Sequence, residues 1–165
     1  MGHPKKQHKK YSRPRVLYSK TRIEEENSLI KKYGLKNKHE LWRAESAIGR
    51  IRKQAKKLIN LPEEQEKFLS RLKKLGLKTE KIDDVLALKK EDWLERRLQT
   101  IVYKKGIAHT PKEARQLVTH KHIIISNKIV DVPSYIVLVE EEKNIKKIEK
   151  ERRKEPKEGT EEKTE

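Results

Sequence analysis

The apolar residues of this chain are spaced and almost never massed: the longest uninterrupted apolar run is the five residues from Tyr135 to Val139. A helix needs about 20 mostly apolar residues to cross a bilayer, so no segment reads as a membrane span. Only 33% of the residues are hydrophobic and 42% are charged, where an ordinary globular chain is roughly half apolar and about a quarter charged. Such a sequence buries a small core and leaves long flanks that are solvated or ordered by a partner. Its 165 residues suit one domain, or one small domain with attachments. There are no cysteines, which excludes disulfides, thiolate chemistry, Cys-ligated zinc and iron–sulfur clusters. The basic N-terminus leads into no apolar segment, unlike a secretory signal. Lys6 stands where a myristoylation signal wants Ser or Thr. The expected compartment is the cytoplasm.

Charge narrows the partner. The net charge is +17, enough self-repulsion to burden a free compact monomer. A polyanion relieves it, and nucleic acid fits best, because phosphate contacts dominate such affinities. An anionic membrane fits less well, since no helix pairs a basic face with a large aromatic one. The distribution divides the chain. Residues 1–23 hold eight Lys or Arg and no acid, residues 24–139 have a net charge of +10, and residues 140–165 have a net charge of −1.

The head, GHPKKQHKKYSRPRVLYSKTR, has no helical apolar period and reads as disordered on its own. Its cations are interleaved with Tyr11 and Tyr18, a mixture that suits RNA, where cations meet phosphate and rings stack on exposed bases. A helical pattern begins near Ile23 and stops at Gly34. Asn37, with Glu40 three residues on, is the expected cap of a second helix. There Leu41, Ala44, Ile48, Ile51, Ala55 and Leu58 form one apolar stripe. Arg43, Arg50, Lys53 and Lys57 fall on the opposite face with no acid among them, a cationic ridge rather than the mixed surface of a merely soluble helix. Leu61-Pro62 closes this helix, residues 63–76 form another amphipathic piece, and Asp83–Lys90 holds a short apolar patch.

From Asp92 to Tyr103 the pattern predicts one helix burying Leu94, Leu98, Ile101 and Val102. Arg96 and Tyr103 share its outer side, and Arg97 and Lys104 a flank. Thr110-Pro111-Lys112-Glu113 is a capped helix start. That helix buries Ala114, Leu117 and Val118 and turns Lys112, Arg115, Gln116 and Thr119 outward. Ile123–Ile125 and Lys128–Val130 read as strands about a Ser126-Asn127 turn, and Tyr135–Val139 as a third strand. From Glu140 on, the chain reads as a charged tail that starts as a solvated helix at most.

In residues 94–139 the order of helix, glycine stop, capped helix, His-Lys, strand, turn and strand resembles the S-four RNA-binding domain. The matching text is ERRLQTIVYKKG, AHTPKEARQLVTHKHIIISNKIV and DVPSYIV. Upstream, TRIEEENSLIKKYGLKNKHELWRAESAIGRIRKQAKKLI and the joint LALKKEDWLERRLQT resemble the small-subunit ribosomal proteins of S-four type in their archaeal and eukaryotic form. The likeness covers roughly residues 11–140. It implies an α+β fold: a mostly helical N-terminal region, then a small S-four domain with two helices packed on a short antiparallel sheet. The expected divisions are a basic rRNA-contacting head at 1–22, a helical region at 23–92, the S-four domain at 93–140 and a charged tail at 141–165.

The resemblance also implies a structural constituent of the small ribosomal subunit. Such a protein would bind rRNA early, nucleate assembly of the subunit body and contribute to translational accuracy. Its partners would be small-subunit rRNA, the ribosomal protein of S-five type and other small-subunit proteins, with no small-molecule substrate and no membrane. The candidate rRNA contacts are Lys9, Lys10, Tyr11, Arg13 and Arg15 in the head and Arg43, Arg50, Lys53 and Lys57 on the ridge. The S-four helices and the turn after the second of them add Arg96, Arg97, Tyr103, Lys104, Lys112, Arg115, Gln116, His120 and Lys121. Two local alternatives stay open: Arg97 pairs with Asp92 or a nearby Glu, and Tyr103 covers the core. Arg115 is expected to face outward, with bridging to Glu113 or the helix end as its alternative.

No cofactor or metal is expected. Some relatives of this type carry a Cys-ligated zinc near the N-terminus, which this chain has no cysteines to hold. His120 and His122 lack a third ligand nearby in sequence. No glycine-rich phosphate loop or Ser nucleophile setting occurs, and no catalysis is expected. A pseudouridine synthase using an S-four domain as a targeting arm needs a far larger catalytic domain than residues 24–92 offer. A free-standing RNA-binding factor acting on ribosomes would share the module but not the upstream helices. High Glu and Lys with one Met match a thermophile-like composition.

Overall fold

The computed structural model describes residues 10–148. Helix α1 (Lys20–Tyr33) starts three residues before the apolar pattern does and ends where Gly34 takes the left-handed conformation, φ 59°. Helix α2 (Lys38–Leu58) is capped by Asn37, whose side chain accepts from the Glu40 amide at 3.2 Å. The stripe points inward: Leu41, Ala44, Ile48, Ala55 and Leu58 are buried, and Ile51 is partly buried against the same core. Helices α3 (Pro62–Lys74) and α4 (Ile82–Ala87) close over its C-terminal half with Phe68, Leu72, Leu77 and Val85. At the other end α1 and Leu94 pack on Leu41 and Ala44, and Trp93 touches both clusters. Helix α2 is thus the spine of the N-terminal region.

The helix expected over 92–103 is broken. Helix α5 (Lys90–Glu95) ends, Arg97 turns extended at φ −72°, ψ 142°, and α6 (Leu98–Lys104) begins. Spacing could not show the break, because Leu94, Leu98, Ile101 and Val102 keep a helical period across it. Its cause is non-local. The segment expected as a third strand runs antiparallel to the break, forming a bridge between Arg97 and Ile136. Tyr135 O accepts from the Leu98 amide at 2.7 Å, and Arg96 O accepts from the Val137 amide at 3.1 Å. Residues 133–137 thereby satisfy donors at the start of α6 that no earlier turn can reach.

Helix α7 (Pro111–Thr119) starts at Thr110, whose hydroxyl accepts from the Glu113 amide at 3.1 Å. The Glu113 carboxylate reaches past the cap to the His109 amide, at 2.7 Å. Strands β1 (Ile123–Ile125) and β2 (Lys128–Ile129) pair antiparallel about Ser126-Asn127, both at positive φ, as the tight hairpin requires. The strand completing the sheet is not Tyr135–Val139. After a short helix α8 (Val139–Glu142), Ile145–Lys147 forms β3 on the free edge of β1, in the order β2-β1-β3. Ile145 is buried, and with Leu98, Val102, Ala114, Val118, Ile123 and Val137 it forms the core of the C-terminal region. The beginning of the expected charged tail therefore belongs to the sheet, and a single apolar residue among lysines carries that edge.

Candidate nucleic-acid interface

Where the N-terminal region meets the S-four domain, a polar joint is built from residues remote in sequence. Gln99, 1% exposed, is a polar side chain inside the apolar run of α6. Its amide nitrogen donates to the carbonyls of Tyr33 at 3.0 Å, Gly34 at 3.1 Å and Pro111 at 2.9 Å. One side chain thus ties the end of α1 to the start of α7. Beside it, the Glu40 carboxylate accepts from Arg97 at 2.8 Å and from both terminal nitrogens of Arg115, at 2.9 and 3.2 Å. Burial pushes the Glu40 carboxyl up, but the hydrogen bonds from Arg115 and the charge of Arg97 outweigh that and hold it below the usual carboxylate range. Burial in turn lowers Arg97, against the pull of Glu40. Two guanidinium groups share one carboxylate, so the joint keeps a net positive charge.

This joint is the floor of a cleft of about 610 Å³. Helix α2 supplies one wall with Arg43, Ala44, Ala47 and Arg50. Pro133, Ser134 and Ile136 form the other, and Lys10 reaches the rim. Arg43 and Arg50 are exposed, and among the described residues no carboxylate lies within ion-pair distance of either. The cleft sets the cations Lys10, Arg43, Arg50, Arg97 and Arg115 around apolar patches of Ala44, Ala47, Trp93, Pro133 and Ile136, and such a cluster of cations suits a phosphate backbone. Among the described residues no helix is long and apolar enough to cross a membrane, and no three metal-ligating side chains converge.

The structure brings some of the sequence candidates together and leaves others apart. Lys10, Arg43, Arg50, Arg97 and Arg115 come together at the cleft. Arg13, Arg15, Lys53, Lys57, Tyr103, Lys112, Gln116, His120 and Lys121 are exposed but lie outside its lining. Lys121 holds a left-handed φ of 62° where α7 ends. Lys104 is exposed and pairs with Glu95 at 2.9 Å. Lys9 lies outside the described residues.

Four candidates differ from their expected settings. Arg97 is 5% exposed, because the break between α5 and α6 turns it inward to Glu40, not to Asp92. Arg115 does not stand free on an outward face: it bridges to Glu40 on α2 rather than to Glu113. Arg96 is committed to structure, donating to Leu75 O, Glu142 and Val137 O, each at 2.9 Å. Its guanidinium lies where a Cβ on Gly76 would stand. Tyr11 stacks on His39 at 4.9 Å and leans on Trp42, so its ring is partly spent on the protein. Trp42 in turn donates to buried Glu26 at 3.0 Å.

Glu40 and Gln99 escaped the sequence reading. Glu40 was legible only as a helix-start carboxylate. Gln99 had a usable signal, since a polar residue between Leu98 and Thr100, one turn from Val102, must be satisfied if the helix packs there.

Comparison with known proteins agrees with this architecture. The family model described as S4 domain matches residues 96–143. The small ribosomal subunit protein uS4 of Methanothermobacter thermautotrophicus is 47% identical over 152 residues, covering 88% of this chain and 89% of its own. That of Methanoregula boonei is 46% identical over 157 residues, covering 88% and 85%. That of Saccharolobus solfataricus is 47% identical over 150 residues, covering 86% and 83%. With nearly half the residues identical along most of both chains, this chain belongs to the uS4 family of small ribosomal subunit proteins.

Proposed function

We propose that the protein is a structural, non-catalytic constituent of the small ribosomal subunit that binds small-subunit rRNA through the cleft between α2 and residues 133–136. The observation that carries this reading is the cleft itself: Arg43 and Arg50 stand without carboxylate partners among the described residues, above a floor where Arg97 and Arg115 share one carboxylate. The exposed cations of the head and of α7 extend the surface on which folded RNA is gripped by shape and phosphate. The Gln99 and Glu40 contacts hold the two regions in one arrangement, so RNA meets a preformed groove and little binding free energy goes into ordering it.

In this reading the protein joins the rRNA early, nucleates assembly of the subunit body and contributes to translational accuracy from within it. Its protein neighbours are the ribosomal protein of S-five type and other small-subunit proteins, and its place is the ribosome in the cytoplasm. A free-standing factor carrying only the RNA-binding module is less well supported, because the likeness to ribosomal proteins runs through the helical region as well. The test is stoichiometry. The protein should co-sediment one-to-one with mature small subunits through a high-salt wash and bind isolated small-subunit rRNA. Substoichiometric, salt-labile association would favour the free factor.

A further inference from the structure

The two tyrosines of the basic head have different fates. Tyr11 is packed on His39 and Trp42. Tyr18 is 90% exposed and is preceded by exposed Val16 and Leu17. Lone exposed apolar residues are ordinary, so exposure alone assigns nothing. The backbone beneath the ring is different: the guanidinium of Arg22, in the first turn of α1, donates to the carbonyl of Val16 and, at 2.9 Å, to that of Leu17. The ring is thus presented from a pinned turn at the start of a helix. In the sequence flanking it Arg13, Arg15 and Lys20 are exposed, and no acidic residue occurs before Glu24.

We infer that Tyr18 is a stacking platform for an unpaired RNA base, with the flanking cations holding the phosphates on either side of that base. The inference rests on the rRNA-binding reading and adds a contact of another kind, to a base face rather than to the backbone. The backbone under the ring is already tied down by Arg22 and need not be ordered when a base covers the ring, and base–aromatic stacking tolerates any base because every base has a π face. An apolar protein partner would have to bury Val16, Leu17 and Tyr18 while desolvating Arg13, Arg15 and Lys20 beside them. RNA takes the ring and the cations together.

The test measures binding of full-length protein to small-subunit rRNA, alongside the melting temperature of the free protein. Tyr18→Ala should weaken binding about 5- to 150-fold, the range of one stacked base, with the melting temperature unmoved. Tyr18→Trp and Tyr18→Phe should bind within about twofold of the parent, since they keep the π face. Tyr18→Leu should behave like Tyr18→Ala. Full affinity in Tyr18→Ala, or a Leu variant as good as Phe, overturns the stacking site while leaving the rRNA reading intact. Normal rRNA affinity with lost incorporation into subunits also overturns it and assigns the patch to a protein neighbour. If the parent protein has no preference for small-subunit rRNA, the underlying reading falls and this inference with it.

Discussion

Glu40 and Arg115, 75 residues apart in the chain, form a two-pronged ion pair: Oε1 accepts from Nη2 at 2.9 Å and Oε2 accepts from Nη1 at 3.2 Å. The same carboxylate holds Arg97 at 2.8 Å. Three side chains from α2, the break before α6 and α7 therefore meet at one point, which fastens the helical region to the S-four domain.

Removing the carboxylate should be costly. Breaking a buried pair leaves uncompensated charge worth about 3–5 kcal/mol, and the partial exposure of Arg115 tempers this. Glu40→Ala should lose about 2–4 kcal/mol of stability, and Arg115→Ala less, about 1–3 kcal/mol, because Arg97 still neutralises Glu40. Both are read by denaturant unfolding. An Arg115→Ala variant as stable as the parent would return that arginine to the free, outward role that its helical position suggests.

The same carboxylate gives a pH signature. Its folded-state pKa lies below the ordinary value, so its contribution is present at neutral pH, above the unfolded-state pKa of about 4.3. That contribution is lost as pH falls through the folded value. The stability gap between the parent and Glu40→Gln should be widest near pH 6–7 and close below about pH 4. A gap independent of pH would mean that Glu40 acts through packing rather than charge.

Gln99 and Gly34 form the second fastening. Gln99→Leu leaves the carbonyls of Tyr33, Gly34 and Pro111 without that donor and should cost about 2–3 kcal/mol. Gly34→Ala puts a Cβ 2.9 Å from the Pro111 Cβ at φ 59°, so strain and clash add. Left-handed strain alone costs about 1–2 kcal/mol. Calorimetry on both variants should show early melting, and wild-type melting of Gly34→Ala would mean that the joint is looser than its geometry.

Much of this fold was readable in advance, and the failures have a common cause. Local signals held: Gly34 stopped α1, Asn37 and Thr110 capped their helices, and Ser126-Asn127 turned the hairpin. Each of those is decided within four or five residues. What could not be read was decided by distant partners. The break at Arg97 depends on Ile136, and the third strand depends on Ile145 finding β1, though the polar residues around it, Asn144, Lys146 and Lys147, read by spacing as a solvated tail. The same limit applies to the cleft. Its walls, Arg43 and Arg50, were legible as a ridge with no acid, whereas its floor needed Glu40, which only tertiary contact brings against Arg97 and Arg115.

Charge on the ridge should govern affinity without touching stability. Arg43→Ala with Arg50→Ala removes two exposed cations that no ion pair engages among the described residues. The double variant should melt like the parent, since outward substitutions usually stay within about 0.5 kcal/mol. Its rRNA affinity should fall, and the slope of log affinity against log salt should shallow by about 1.4–1.8, at roughly 0.7–0.9 per lost phosphate contact. An unchanged slope would place the RNA elsewhere.

The most direct measurement uses the absence of native cysteine. Ser134→Cys puts a single thiol on the cleft wall, and Ser70→Cys puts one on α3, outside it. With an iron chelate tethered at each in turn, hydroxyl radicals cut the nearest RNA backbone in the complex with small-subunit rRNA. Position 134 should cut strongly at a discrete cluster of nucleotides, and position 70 weakly or not at all. Strong cutting from position 70 with none from position 134 would contradict the assignment of the rRNA to this cleft.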